Sequence, residues 1–174
     1  SLAGVPGIYF HSLFGSRGWP EGVAQTGHTR AINRQKLERA ELEAGLAAPA
    51  SVRSQVFARY SQLLRARAAS PAFHPQGRQR ILDLGASNFA LVREAPASGQ
   101  RVFCLQNVTG RASCLSQTVK AELEQVFGLA PQGGWVKELL TGRRFNLRRS
   151  APIRLRPYQT LWLAAAPGTE LKGH

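Results

Sequence analysis

Between Gly15 and Arg34 the chain gathers Arg17, His28, Arg30, Asn33 and Arg34 into one polar, glycine-bearing stretch. Guanidinium groups offer a planar fork of donors to oxygen ligands and stay charged at any working pH. Such side chains act only when held on a rim. The element that would hold them is the short apolar run Val5–Phe10, preceded by glycine and proline punctuation. A buried strand opening into an Arg-bearing loop is the layout of a barrel strand feeding an active-site rim. Pro6 suits a strand start, where a missing N–H is tolerated. Residues 15–33, with four glycines and Pro20, read as a long functional loop.

Downstream, residues 34–46 read as a short helix with Leu37, Leu42 and Leu46 on its inner side, ended by Gly45 and Pro49. Residues 51–69 give the clearest helix: Val52, Val56, Tyr60, Leu63 and Leu64 recur as one stripe, with Ser51 as N-cap. Ser70-Pro71 stops it. Beyond Pro71 the texture changes to short β-like runs at 80–84, 89–94, 101–108, 112–117, 135–140, 153–157 and 158–165, separated by Gly, Asn and Pro. That spacing predicts an antiparallel sandwich. Residues 119–127 have helical composition and stay ambiguous, and 167–174 read as a tail.

The 174 residues are 43% hydrophobic with mean hydropathy −0.22, which suits a water-soluble globular chain. No apolar run approaches the roughly 20 residues that span a bilayer. No basic n-region precedes a long apolar core, so the reading is cytoplasmic. The chain begins at Ser1, contains no Met and enters an apolar run within four residues; it reads as the later part of a longer protein. A net charge of +13 and pI near 11.3 raise the question of nucleic acid. The arginines are scattered and carry no aromatic-interleaved basic patch, so a solvated Arg face is the preferred reading.

Cys104 and Cys114 lie in successive strand-like runs and read as buried free thiols. No CxxC or HxxxH pattern supplies a metal site. Asn107-Val108-Thr109 matches a glycosylation sequon, taken as chance. Trp135, Tyr158 and Trp162 allow a carbohydrate platform, but at strand spacing they are read as core.

Gly4-Val5-Pro6-Gly7-Ile8-Tyr9 resembles the motif of the eighth barrel strand in the α-amylase superfamily. The following SLFGSR and TGHTRAINR are similar to its sucrose phosphorylase branch, glycoside phosphorylases acting on sucrose, sucrose phosphate, glucosylglycerate and related glucosides. FALVRE, RVFCLQN, the Trp135 run ending Leu140-Thr141-Gly142, and LRPYQTLWL resemble that family's closing β domain. The resemblance implies residues 1–69 as the last strand, active-site loop and last helix of a (β/α)8 barrel, and 70–174 as an antiparallel β-sandwich. Amylases generally carry Gly and Glu where this chain has His11 and Leu13. Gly18-Trp19-Pro20 also departs from the more polar family residues, which bears on acceptor choice.

The mechanism implied is retaining double displacement with phosphate as acceptor, no cofactor, and inorganic phosphate as co-substrate. By resemblance the catalytic carboxylates lie upstream; Glu21, Glu38, Glu41, Glu43, Glu122, Glu124 and Glu138 match none of them. The catalytic partner is therefore the missing N-terminal part of the barrel. Arg30 matches the family's rim arginine for sugar or phosphate oxygens, against a reading in which it pins the loop through carbonyls. Arg17 and Arg34 are further phosphate candidates, and His11 an acceptor-side candidate, each weighed against a surface or structural role. His28 reads as a loop residue. Two other functions stay open: a hydrolase or transglucosylase of the same superfamily, and a non-catalytic carbohydrate- or nucleic-acid-binding module.

Overall fold

A computed structural model describes residues 1–115, 117–129, 134–147 and 153–166 of the chain. It divides into two compact units, Pro6–Arg65, and Ser1–Val5 together with Ala66 onward.

The Pro6–Arg65 unit is helical. Its elements are α1 (Phe10–Leu13), α2 (Pro20–Thr26), a 3-10 turn at Thr29–Asn33, α3 (Arg39–Ala47) and the start of α4 (Val52–Ala69). The expected strand at 5–10 is absent: these residues are extended coil running into α1. A strand needs neighbours for its N–H and C=O groups, and no described strand pairs with this segment. The expected loop at 15–33 is instead largely α2 and the 3-10 turn. Pro20 at the first helical position and Gly27 in the left-handed region at φ 68° delimit α2. The predicted helix at 34–46 starts later, at Arg39. For α4 the reading holds: Ser51 Oγ accepts the Ser54 N–H at 3.0 Å, satisfying an orphan donor of the first turn. Phe57 stacks on Phe14 at 5.4 Å, while Val52 is exposed and leaves the stripe.

The second unit is built on an antiparallel six-stranded sheet. Its strands are β1 (Arg78–Asp83), β2 (Asn88–Glu94), β3 (Arg101–Asn107), β5 (Trp135–Glu138), β6 (Arg144–Asn146) and β8 (Thr160–Ala165), in the order β1-β2-β3-β8-β5-β6. A separate pair joins β4 (Ser113–Leu115) to β7 (Ile153–Leu155). The ambiguous segment forms α5 (Gln117–Phe127), and β6 is a strand that the turn spacing did not signal. One face of the sheet carries Ala90, Val92, Phe103, Leu105, Val136 and Leu163 against Val119, Leu123 and Val126 of α5. The other face aligns Leu91, Cys104 and Trp162 across three strands. Phe73 covers that row, its ring 4.6 Å from Trp162. With both faces covered, β2 and β3 are buried almost continuously rather than in alternation.

Arg93 sits in this second face with no exposed surface. Its guanidinium donates to the carbonyls of His74 (2.7 Å), Ser1 (3.3 Å), Arg78 (3.3 Å) and Gly77 (3.4 Å). Arg67 extends the arrangement, donating to Gly4 O at 2.7 Å and Leu2 O at 3.3 Å while lying over the Phe73 ring. Residues 1–4 are thus fixed onto the sheet unit through their carbonyls. Burial, with the neighbouring positive charge of Arg67, presses the Arg93 pKa below its ordinary value. Replacing Arg93 by Met would take this donor from the carbonyls of Ser1, His74, Gly77 and Arg78. Arg93→Met should lower unfolding stability by about 3 kcal/mol, with Arg93→Lys recovering part of it, read from urea denaturation midpoints.

Cys104 is buried, as expected, but Cys114 is exposed, and both thiols are free. Burial pushes the Cys104 pKa up from 9.0 to about 12. The folded state therefore holds a proton that the unfolded chain releases. This contribution to stability is present below pH 9 and is lost as pH rises towards 12. Cys104→Ala should flatten that alkaline decline in a series of melts. At pH 8 a thiol reagent should label Cys114 alone until denaturant is added.

Candidate functional site

The predicted site residues converge in part. Within the Pro6–Arg65 unit an open cleft of about 510 Å³ is lined by Trp19, Thr26, Gly27, His28, Thr29, Arg30, Ala31 and Arg34. Arg30 and Arg34 thus share one concavity, with His28 between them and α2 and no carboxylate in the lining. Arg17 is exposed and lies outside the lining. His11 is half-buried outside it, its ring 5.5 Å from those of Tyr9 and Phe10.

The backbone of this cleft is tied at each step. Trp19 N donates to Ile32 O at 2.7 Å, joining the start of α2 to the 3-10 turn. Thr26 Oγ1 donates to Gly22 O at 2.7 Å and accepts the His28 N–H at 3.3 Å, closing the end of α2. Ala31 N donates to His28 O and Arg34 N to Ala31 O, both at 2.9 Å, which sets Arg30 and Arg34 on one turn. The Tyr9 hydroxyl donates to Asn33 O from outside. Among the described residues the Arg30 and Arg34 guanidiniums make no hydrogen bond or ion pair, so their donors face the cleft's solvent.

Thr26, Gly27, Thr29 and Ala31 complete the wall and were not singled out from the sequence as site residues; Trp19 entered only through the Gly18-Trp19-Pro20 departure that bears on acceptor choice. The signal for them was the Pro20…Gly27 pair, which marks a helix start and stop. Gly22 lets the wall form: a Cβ there would lie 2.0 Å from the Trp19 ring. Ala is the better helix former, so propensity alone favours Gly22→Ala. The clash should dominate. Gly22→Ala is expected to lower stability by about 2 kcal/mol and displace Trp19, seen as a shifted melt with an altered tryptophan emission maximum.

The acidic side chains serve other ends. Glu43, Glu122 and Glu94 pair with Arg39, Arg80 and Arg101 at 2.7 to 3.2 Å. Glu138, 3% exposed, accepts the Leu140 and Thr141 N–H groups at 3.0 and 2.7 Å and so closes a turn. Among the described residues no three His, Cys, Asp or Glu side chains group to hold a metal. No described helix is long and apolar enough to cross a membrane. The core reading of the aromatics holds for Trp162 but fails for Trp135 and Tyr158, which are 51% and 72% exposed.

Searched against protein-family models, the chain matches none. Curated relatives do match. It is 40% identical over 168 residues to the glucosylglycerate phosphorylase of Spirochaeta thermophila, covering 94% of this chain and 28% of the relative. It is 38% identical over 164 residues to the glucosylglycerate phosphorylase of Allomeiothermus silvanus, covering 94% and 25%. Over nearly all of its length the chain is thus similar to a portion of glucosylglycerate phosphorylases. It spans about a quarter of the length of these relatives. Among solved structures it is similar in fold to AmyP in complex with maltose, at TM-score 0.50 and 18% identity, over 77% of this chain and 29% of that one. The relatives narrow the resemblance from sucrose phosphorylases towards glucosylglycerate phosphorylases.

Proposed function

We propose that this chain is the closing part of a retaining α-glucoside phosphorylase that passes a glucosyl group to inorganic phosphate, with glucosylglycerate as the glucoside. In the intact protein, residues 5–9 would find strand partners and complete a (β/α)8 barrel with α4. The second unit would be its closing antiparallel β-sandwich. The observation that carries the reading at the site is the cleft in which Arg30 and Arg34 stand together without a carboxylate.

Such a cleft favours an oxyanion that can take several N–H bonds. In the proposed reaction a carboxylate elsewhere in the barrel attacks C1 and the C1–O bond to glycerate breaks. Glycerate leaves with a proton from a second carboxyl group, giving the glucosyl-enzyme. Phosphate oxygen then attacks C1, the C1–carboxylate bond breaks, and glucose 1-phosphate leaves. Arg30, with Arg34, would hold phosphate oxygens and damp the repulsion between the two anions. The free guanidinium of Arg30 supports this role over loop pinning. Arg17 and His11 would act, if at all, from beyond the cleft, on acceptor selection. No cofactor is needed.

The experiment is phosphorolysis by the intact protein that carries this chain. Glucose 1-phosphate should appear from glucosylglycerate only when phosphate is present. Arg30→Ala should raise KM for phosphate about 10-fold to 100-fold, with Arg30→Lys between the two. Free glucose released equally with and without phosphate would make the protein a hydrolase instead. An unchanged KM in Arg30→Ala would return Arg30 to a structural role.

A further inference from the structure

Tyr158 is the one described non-glycine residue with positive φ, at 54°, a region that side chains rarely adopt. The strain secures no burial, since the ring is 72% exposed. Two loops hold it there. Tyr158 N donates to Thr109 O at 3.1 Å. Asn107, 2% exposed, donates through Nδ2 to Arg111 O at 2.6 Å and Arg156 O at 3.0 Å, joining the same loops. Its Oδ1 accepts the Thr109 N–H at 3.0 Å. With both amide protons committed and the side chain enclosed, Asn107 serves as a tie rather than a glycan acceptor.

The result is a rigid rim beside an open cleft of about 590 Å³ lined by Ser87, Thr109, Gly110, Arg111, Ala112 and Ser113. The Tyr158 hydroxyl lies 3.1 Å from the point a Gly110 Cβ would occupy, so the exposed ring borders the cleft. We infer that this rim is a saccharide-binding site, separate from the Arg30 cleft, in which a pyranose stacks on Tyr158 and its hydroxyls meet Arg111 and the loop hydroxyls.

The hydrogen-bonding inventory selects the ligand class. The Arg111 guanidinium makes no hydrogen bond or ion pair among the described residues and can donate. Thr109 and Ser113 spend their protons inside, on Asn107 Oδ1 at 2.8 Å and Asn88 Oδ1 at 2.9 Å. What these hydroxyls offer outward is lone pairs, which require a ligand that donates. Each sugar hydroxyl both donates and accepts; a hydrogen phosphate dianion has one proton to donate and otherwise accepts. Three of the loop N–H groups that could cradle an anion are also spent: Val108 N on Ser87 O, Thr109 N on Asn107, and Arg111 N on Thr109 Oγ1.

The proposal does not rest on phosphorolysis, and its test uses the 174-residue chain, which lacks the barrel's catalytic carboxylates. Saturation-transfer NMR with maltotriose should show contact to ring C–H protons. Tyr158→Asn, which tolerates the left-handed region, should weaken maltotriose binding about tenfold. The same variant should raise the melting temperature by about 3 °C as strain is relieved. Arg111→Gln should weaken binding with the melt unchanged. A lower melting temperature in Tyr158→Asn would make the ring a structural prop and overturn the inference. So would maltotriose contact that survives in both variants, or binding of inorganic phosphate at Arg111 with none of maltotriose.

Discussion

A buried charge with no counter-charge sets the terms for the second unit. Arg93 enters the sheet interior and meets four carbonyls instead of a carboxylate. A guanidinium leaves water at large cost unless its N–H groups are all met, and carbonyl dipoles can meet them without a second desolvated ion. The requirement runs both ways. The carbonyls of Ser1, His74, Gly77 and Arg78 come from segments distant in sequence, and each is held where the fork can reach it. Gly77 shows how tight this is: a Cβ there would lie 2.8 Å from Glu94 O and 3.1 Å from Arg93 Nη2. The chain leading into the Gly4–Arg34 stretch is therefore fixed at its first residues by the sheet unit, through Arg93 and Arg67.

Elements whose cause is local were legible in the sequence, and those whose cause is distant were not. The apolar stripe and Ser51 cap gave α4, and Gly and Asn turns gave β1, β2 and β3 close to their observed bounds. Residues 5–10 carried every strand signal yet form none, because pairing depends on partners elsewhere. Residues 15–33 looked like loop from their glycines, although Gly22 and Gly27 serve a helix, one under Trp19 and one at its end. Arg93 was hidden for the same reason: in FALVRE it reads as a solvated strand residue, and only the covering segment 70–77 makes it buried.

The candidate site shows a similar split. Arg30 and Arg34 were found because arginine in a glycine-rich stretch is a chemical signal that needs no fold. Their neighbours in the cleft wall were missed because Thr26 and Thr29 matter through position alone. The exposed Tyr158 inverts the usual expectation for aromatics in a β domain, and no sequence pattern marks a residue that the fold holds at positive φ. Strain of this kind becomes visible only in the backbone angles.

The same partner-by-partner accounting revises what the net charge of +13 means. Arg93 and Arg67 are spent on carbonyls, and Arg39, Arg80 and Arg101 on glutamates, with Arg101 also donating to Val126 O at 3.1 Å. These five arginines hold structure and do not add to an attractive face. Exposed arginines such as Arg17, Arg30, Arg34 and Arg111 fall in different loops, two of them in one cleft and one at another. A polyanion needs cations spaced along a continuous track. Among the described residues, the two clefts instead offer one or two guanidiniums each, a cluster on the scale of a sugar or a single phosphate.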